Sequence, residues 1–245
     1  MVFSGFFISY PQTVRPPAPP PPAEVFHMNY TGGARNFVTR VDFSAALSGT
    51  VEDSYPTDTV NGVSVTVAKT LDYGYLIIRS DNSDDIFSQE VVWRNLKPIA
   101  EEEYHAGIPN LITAFGSQLQ HCLVAIQAKS NGTLELMQTI NQFTSWTVNA
   151  TSTVTIDDEN WNSFIITRDS TGLIFKVYIN AVLAITHTYS TNPFIDSNSI
   201  SRPVREVQYG RDIAAPSGMD FNTYHIKIWR ATLSQADVTA VSTIT

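Results

Sequence analysis

From Glu24 onward the chain is written in short runs of Val, Ile, Phe, Tyr and Thr, each broken within a few residues by Gly, Asn, Asp or Pro. This pattern constrains the fold more than any other feature. No run holds the 3.6-residue period long enough for an amphipathic helix, while many have the length and composition of strands. Strands are expected over residues 36–43, 63–68, 75–79, 121–128 and 133–137, with turns at Asn61-Gly62, Asp81 to Asp85 and Asn131-Gly132. Asn131-Gly132 is a good hairpin signal, because both residues accept the positive φ of a two-residue turn. Between Lys97 and Asn110 the pattern lapses into Pro and Glu, where a long loop or a short helix is expected.

Composition agrees with an all-β chain. Charged residues make up only 16%, against about a quarter in ordinary soluble proteins, and Thr, Ser and Asn take their place. The 245 residues fit one large sandwich. A net charge of −8 without a basic cluster argues against nucleic acid, since phosphate contacts require Lys and Arg. No apolar run approaches the roughly 18 residues of a membrane-spanning helix. The single cysteine, Cys122, forms no intrachain disulfide and is read as a core thiol. Sequons at Asn29, Asn131 and Asn149 are read as chance matches in an Asn- and Thr-rich chain.

Composition shifts sharply at Pro16, where Pro-Pro-Ala-Pro-Pro-Pro-Pro-Ala runs to Ala23. Proline fixes φ and removes a donor, so this stretch is expected as polyproline II, rising about 3.1 Å per residue. Ahead of it stand Phe3, Phe6, Phe7, Ile8 and Tyr10, too few residues to bury their own rings. They either fold back as a strand or dock into another chain. The stiff spacer favours docking, and these five residues are read as a partner anchor. The first ten residues lack both a leading cation and a small-residue cleavage site, so they are not read as a signal peptide. Residues 1–23 are therefore expected to be an anchor and spacer, and 24–245 one sandwich.

The C-terminal half is more specific. Trp161 precedes an apolar strand over 163–168, Asp169 to Gly172 turns the chain, and Leu173 to Asn180 returns. A third strand, Val182 to Tyr189, completes a meander whose apolar character predicts a central, covered position. Then come Tyr209-Gly210-Arg211 and the closing Ile226-Lys227-Ile228-Trp229-Arg230, followed by Ser234-Gln235-Ala236-Asp237, in which Ser234 is placed to cap a short helix. Together these pieces, over about residues 120–241, resemble the laminin-G-like, concanavalin A-like lectin and glucanase superfamily. The resemblance implies a two-sheet antiparallel jelly-roll sandwich, with ligands at loop rims or on the concave sheet. It also implies that Trp161 and Trp229 are core, and that Asn222 takes a left-handed conformation before the closing strand in place of a customary Gly; Asn180, beside Ala181, is expected to do the same at the corner.

The glucanase pattern of alternating carboxylates is absent. Glu101, Glu103 and His105 share a face only if extended, and are read as a solvated loop. Calcium is the one cofactor considered, at Asp81, Asp84 and Asp85, because oxygen-rich turns suit that ion; Asp157-Asp158-Glu159 is a second such stretch. Trp93, Trp146 and Tyr189, near expected strand ends, are the candidate ligand-binding rings. The expected function is non-catalytic: a structural or adhesion protein displayed on a larger particle, such as a phage or viral capsid decoration, head fibre or tail component, homo-oligomeric and able to bind glycans. A free extracellular lectin and a glycoside hydrolase are the alternatives.

Overall fold

In the computed structural model, the described residues are 19–43, 54–70, 75–80, 86–95, 111–117, 123–139, 147–156, 159–195, 203–210 and 221–244. The strands are β1 (Phe26–Asn29), β2 (Asn36–Arg40), β3 (Thr57–Val60), β4 (Val63–Thr66), β5 (Ala68–Thr70), β6 (Tyr75–Arg79), β7 (Ser88–Asn95) and β8 (Leu111–Ser117). They continue with β9 (Leu123–Ala128), β10 (Leu134–Thr139), β11 (Thr147–Thr151), β12 (Asn162–Arg168), β13 (Ile174–Ile179), β14 (Val182–Thr188), β15 (Val204–Gly210) and β16 (Phe221–Trp229). One helix, α1 (Gln235–Val241), follows.

The expected all-β architecture is the one observed. The larger sheet runs β14-β13-β12-β7-β16-β1-β2, with β5 joined to the start of β16, and the second runs β11-β10-β9-β8-β15-β6. Every described ladder is antiparallel. The inner faces meet in one core that includes Phe26, Trp93, Phe115, Ile126, Phe164, Phe175, Phe194, Val207 and Ile228. The outer face of the larger sheet carries a second apolar cluster, where Leu233 and Val238, flanking and within α1, cover Ile165, Tyr178 and Trp229. With both faces covered, β12 is buried along its whole length, which is why its sequence shows no alternation.

Local chemistry sets the corners. Asn180 (φ 49°) and Ala181 (φ 63°) turn β13 into β14, and Asn61 (φ 48°) with Gly62 (φ 76°) turns β3 into β4. The expected helix cap is present: Asp237 N donates to Ser234 Oγ at 3.2 Å, and the Asp237 carboxylate accepts from Ser234 N at 2.9 Å. Two expectations are corrected. Asn222 is not a left-handed residue before the closing strand but its second strand residue, because β16 begins at Phe221 and pairs there with both β7 and β5. The meander is not wholly central, since β14 forms the sheet edge and exposes Val182 and Leu183. Among the described residues, no helix is long and apolar enough to cross a membrane.

Candidate functional site

Side-chain parity on the larger sheet separates two sets of residues. Val91 and Trp93 of β7, Phe164 and Ile166 of β12, and Ile226 and Ile228 of β16 point into the core. Their neighbours therefore face outward. At one end of that outer face Asn222 is in register with Arg94 on one side and Lys69 on the other. One position before the Asn162–Trp93 pair, Trp161 comes beside Arg94, whose guanidinium carbon lies 5.5 Å from the indole centroid. An indole, a guanidinium, an amide and an ammonium thus form one row across β12, β7, β16 and β5. Asn162 and Asn180 fix the chain at Trp161: Asn180 Nδ2 donates to Asn162 Oδ1 at 3.1 Å, and Ser163 N donates to Asn180 Oδ1 at 2.8 Å.

The β3–β4 hairpin lies against this row. Asp58 Oδ2 accepts from Arg94 Nη2 at 2.5 Å and from Asn222 Nδ2 at 2.9 Å. Asn222 is buried, Arg94 and Asp58 are partly exposed, and Trp161 is half-buried. Arg94 Nε, Trp161 Nε1 and Asn222 Oδ1 are buried without a hydrogen-bond partner. Such atoms are few in native proteins, and each carries a desolvation cost that a ligand or water can remove.

Next along the same face is a sealed polar cluster. Glu90 is fully buried; its Oε1 accepts from Ser163 Oγ at 2.6 Å and from Thr243 N at 3.1 Å. Its Oε2 stands 3.2 Å from His225 Nε2 and 3.3 Å from Lys227 Nζ. Burial raises the Glu90 pKa, but the His225 hydrogen bond and charge, Lys227 and the Ser163 hydroxyl outweigh it and hold the carboxyl down to about 2. Burial also lowers the pKa of His225, against the pull of Glu90. A serine, a histidine and a carboxylate resemble a hydrolytic set in composition only. Here Ser163 bonds the carboxylate rather than the imidazole, and Thr243 closes the cluster from above, so no substrate atom reaches it.

The expected ligand rings are placed differently. Trp93 is 1% exposed, edge-on to Phe164 at 5.5 Å, and so belongs to the core. Its inward parity in β7 overrides its nearness to a strand end. Tyr189 is also buried, edge-on to Phe175 at 5.4 Å, its hydroxyl accepting from Asn149 Nδ2 at 3.1 Å. Trp229 is core as expected, whereas Trp161 sits at the rim. Trp146, the turn residues Asp81, Asp84 and Asp85, the acidic stretch with Glu101, Glu103 and His105, Asp157 and Asp158, Cys122, and the anchor residues Phe3, Phe6, Phe7, Ile8 and Tyr10 lie outside the described residues. Among those that are described, no three His, Cys, Asp or Glu side chains stand together in a way that could hold a metal ion.

No family model matches this chain, and no curated protein does. Solved structures do. The binding domain of botulinum neurotoxin serotype G aligns with a TM-score of 0.52 at 11% identity, over 89% of this chain and 50% of that one. The neurotoxin D/C binding domain in complex with rat synaptotagmin II gives 0.58 at 14% identity, over 89% and 50%. Domain 4 of an extracellular arabinanase from Geobacillus stearothermophilus, in complex with arabinotriose, gives 0.54 at 14% identity, over 90% of this chain and 98% of that one. The fold is an antiparallel β-sandwich shared with these domains. The chain spans about half the length of the toxin domains and nearly all of the arabinanase domain. At these identities the likeness is one of fold.

Proposed function

We propose that this sandwich is a non-catalytic carbohydrate-binding module. The observation that carries the reading is the row Trp161–Arg94–Asn222–Lys69, where an indole adjoins planar hydrogen-bonding groups with unused buried atoms. Sugars present both C–H faces that stack on aromatic rings and hydroxyls that need such planar partners. Arabinotriose on the arabinanase domain, which shares this fold, supports the reading. The test is a glycan array followed by calorimetry on the best hit. Trp161→Ala should weaken binding by tenfold or more, about 1.4 kcal/mol, while leaving the melting temperature nearly unchanged. Unchanged affinity in that variant overturns the site, and a wild-type domain that binds no glycan overturns the function.

The module is further proposed to be displayed on a larger particle, with a phage or viral surface as the setting and its N-terminal arm as the attachment. The supporting feature is the aromatic peptide followed by the polyproline run. Pro19 to Pro21 are exposed, and Pro22, the last of the run, is partly buried. Deleting residues 1–22 should leave a folded domain that no longer co-purifies with its particle. Undiminished incorporation counts against the arm.

A further inference from the structure

We propose that the row on the larger sheet recognises an acidic sugar, and that Asp58 occupies the acid position in the free protein as an internal stand-in for the ligand's carboxylate. This deepens the reading of the row as a saccharide site and rests on it.

Charge points first to the ligand class. Two cations, Arg94 and Lys69, flank Asn222 on one face. The chain has a net charge of −8, so two cations on either side of one residue stand against the prevailing sign. Among the described residues, Asp58 is the carboxylate bonded to this row, through Arg94 and Asn222.

Coordination points to the same class. A guanidinium matches a carboxylate best with two parallel N–H donors meeting two oxygens. Asp58 meets Arg94 with one oxygen, which it also gives to Asn222, and its other oxygen accepts from Thr59 N at 2.7 Å. Arg94 Nε and Trp161 Nε1 remain as unused donors and Asn222 Oδ1 as an unused acceptor. Two donors and one acceptor fit a carboxylate with a neighbouring hydroxyl, the arrangement of a uronic acid. A neutral hydroxyl can also meet two donors and one acceptor, but it brings no charge to offset Arg94 and Lys69 once Asp58 leaves.

The stand-in is carried on a hairpin fixed at its base and lightly held toward its tip. Strands β3 and β4 pair only with each other and form a separate two-stranded sheet among the described residues. The base of the hairpin is fixed, since Val67 N donates to Pro56 O at 3.0 Å and Lys69 N to Ser54 O at 2.9 Å. Toward its tip it is held by the buried Val60, by Asp58 at one side and by Asn61 at its turn, where Nδ2 donates to Thr243 O at 2.6 Å. A ligand carboxylate that takes both Arg94 donors displaces Asp58, and the hairpin lifts from the row.

The experiment measures binding of a galacturonate trisaccharide and of the neutral galactose trisaccharide to the full chain, for wild type and for Asp58→Asn, Lys69→Gln and Trp161→Ala. If Asp58 holds the site mostly closed, apparent affinity is reduced by the open fraction, and Asp58→Asn should tighten the acidic probe by about tenfold. The neutral probe should change much less, and Lys69→Gln should weaken only the acidic one. Hydrogen exchange at Val60 to Val63 should rise when the acidic probe binds. Equal binding of the two probes by wild type and Asp58→Asn overturns the acid subsite. If Trp161→Ala still abolishes neutral binding in that case, the saccharide reading stands alone. Binding of neither probe by any variant overturns both. Asp58→Asn that lowers the melting temperature without tightening the acidic probe makes Asp58 a structural brace and also overturns the proposal.

Discussion

Trp93 lies in β7 and Trp161 immediately before the neighbouring β12, and the two face opposite ways. Trp93→Ala should cost about 3–5 kcal/mol in urea unfolding, whereas Trp161→Ala should act on binding. Their roles were hard to read from sequence because the run Val91-Val92-Trp93 is apolar throughout and conceals its parity. Arg94 is the missing clue: with Val91 and Trp93 inward, it must face out. Ala181 is a second informative position. An L-residue with a φ of 63° is strained, and only its half-buried methyl offsets that. Ala181→Gly should raise stability by about 0.5–1 kcal/mol, read as a higher denaturation midpoint. The sequence did show Asn180 as a left-handed residue, since its type and place beside the corner both pointed there. It misled at Asn222, where the same tolerance was unused.

At the level of elements, Glu90 joins β7, β12, β16 and the C-terminal residues through one carboxylate. Glu90→Ala should cost about 3–5 kcal/mol, because it strands Lys227 without its counter-charge and takes a hydrogen-bond partner from His225 and from the Ser163 hydroxyl. The same cluster sets the pH response. Burial, then the charges of His225 and Lys227, lower His27 from 6.5 to about 4. A depressed pKa contributes stability above the unfolded value and loses it as pH falls. The urea midpoint should therefore be steady above pH 7 and fall between pH 6.5 and 4, as the unfolded chain takes up protons that folded His27 and His225 refuse. It should fall again between pH 4.5 and 2, as Glu90 is protonated first in the unfolded chain. His27→Gln should shrink the first limb to the part that His225 contributes and spare the second. None of this was legible beforehand. The partners lie 73 to 153 residues from Glu90 in sequence, and nothing local marks it as their meeting point. By contrast, the meander, the closing strand and the Ser234 cap were legible, because each rests on contacts between near neighbours.

For the whole molecule, the decisive arrangement is the central place of β16. β1 pairs with its end, from Phe26 opposite Ile228 to Asn29 opposite His225, while the row of Arg94, Asn222 and Lys69 crosses its start. The arm and the row therefore stand at opposite ends of one strand, six residues or about 20 Å apart at roughly 3.4 Å per residue. That separation has a mechanical meaning. A load applied between a bound ligand and an anchored arm runs along the strand axis, so the β1–β16 hydrogen bonds resist it together in shear. Pulling between residue 20 and residue 161 should rupture the domain at a markedly higher force than pulling across the β13–β14 edge, where bonds open one at a time. Single-molecule stretching with cysteines at those positions would measure the difference. Under the proposed attachment and binding, the domain would be held beside its first strand and gripped at the far end of the neighbouring one, an orientation that keeps it folded under tension.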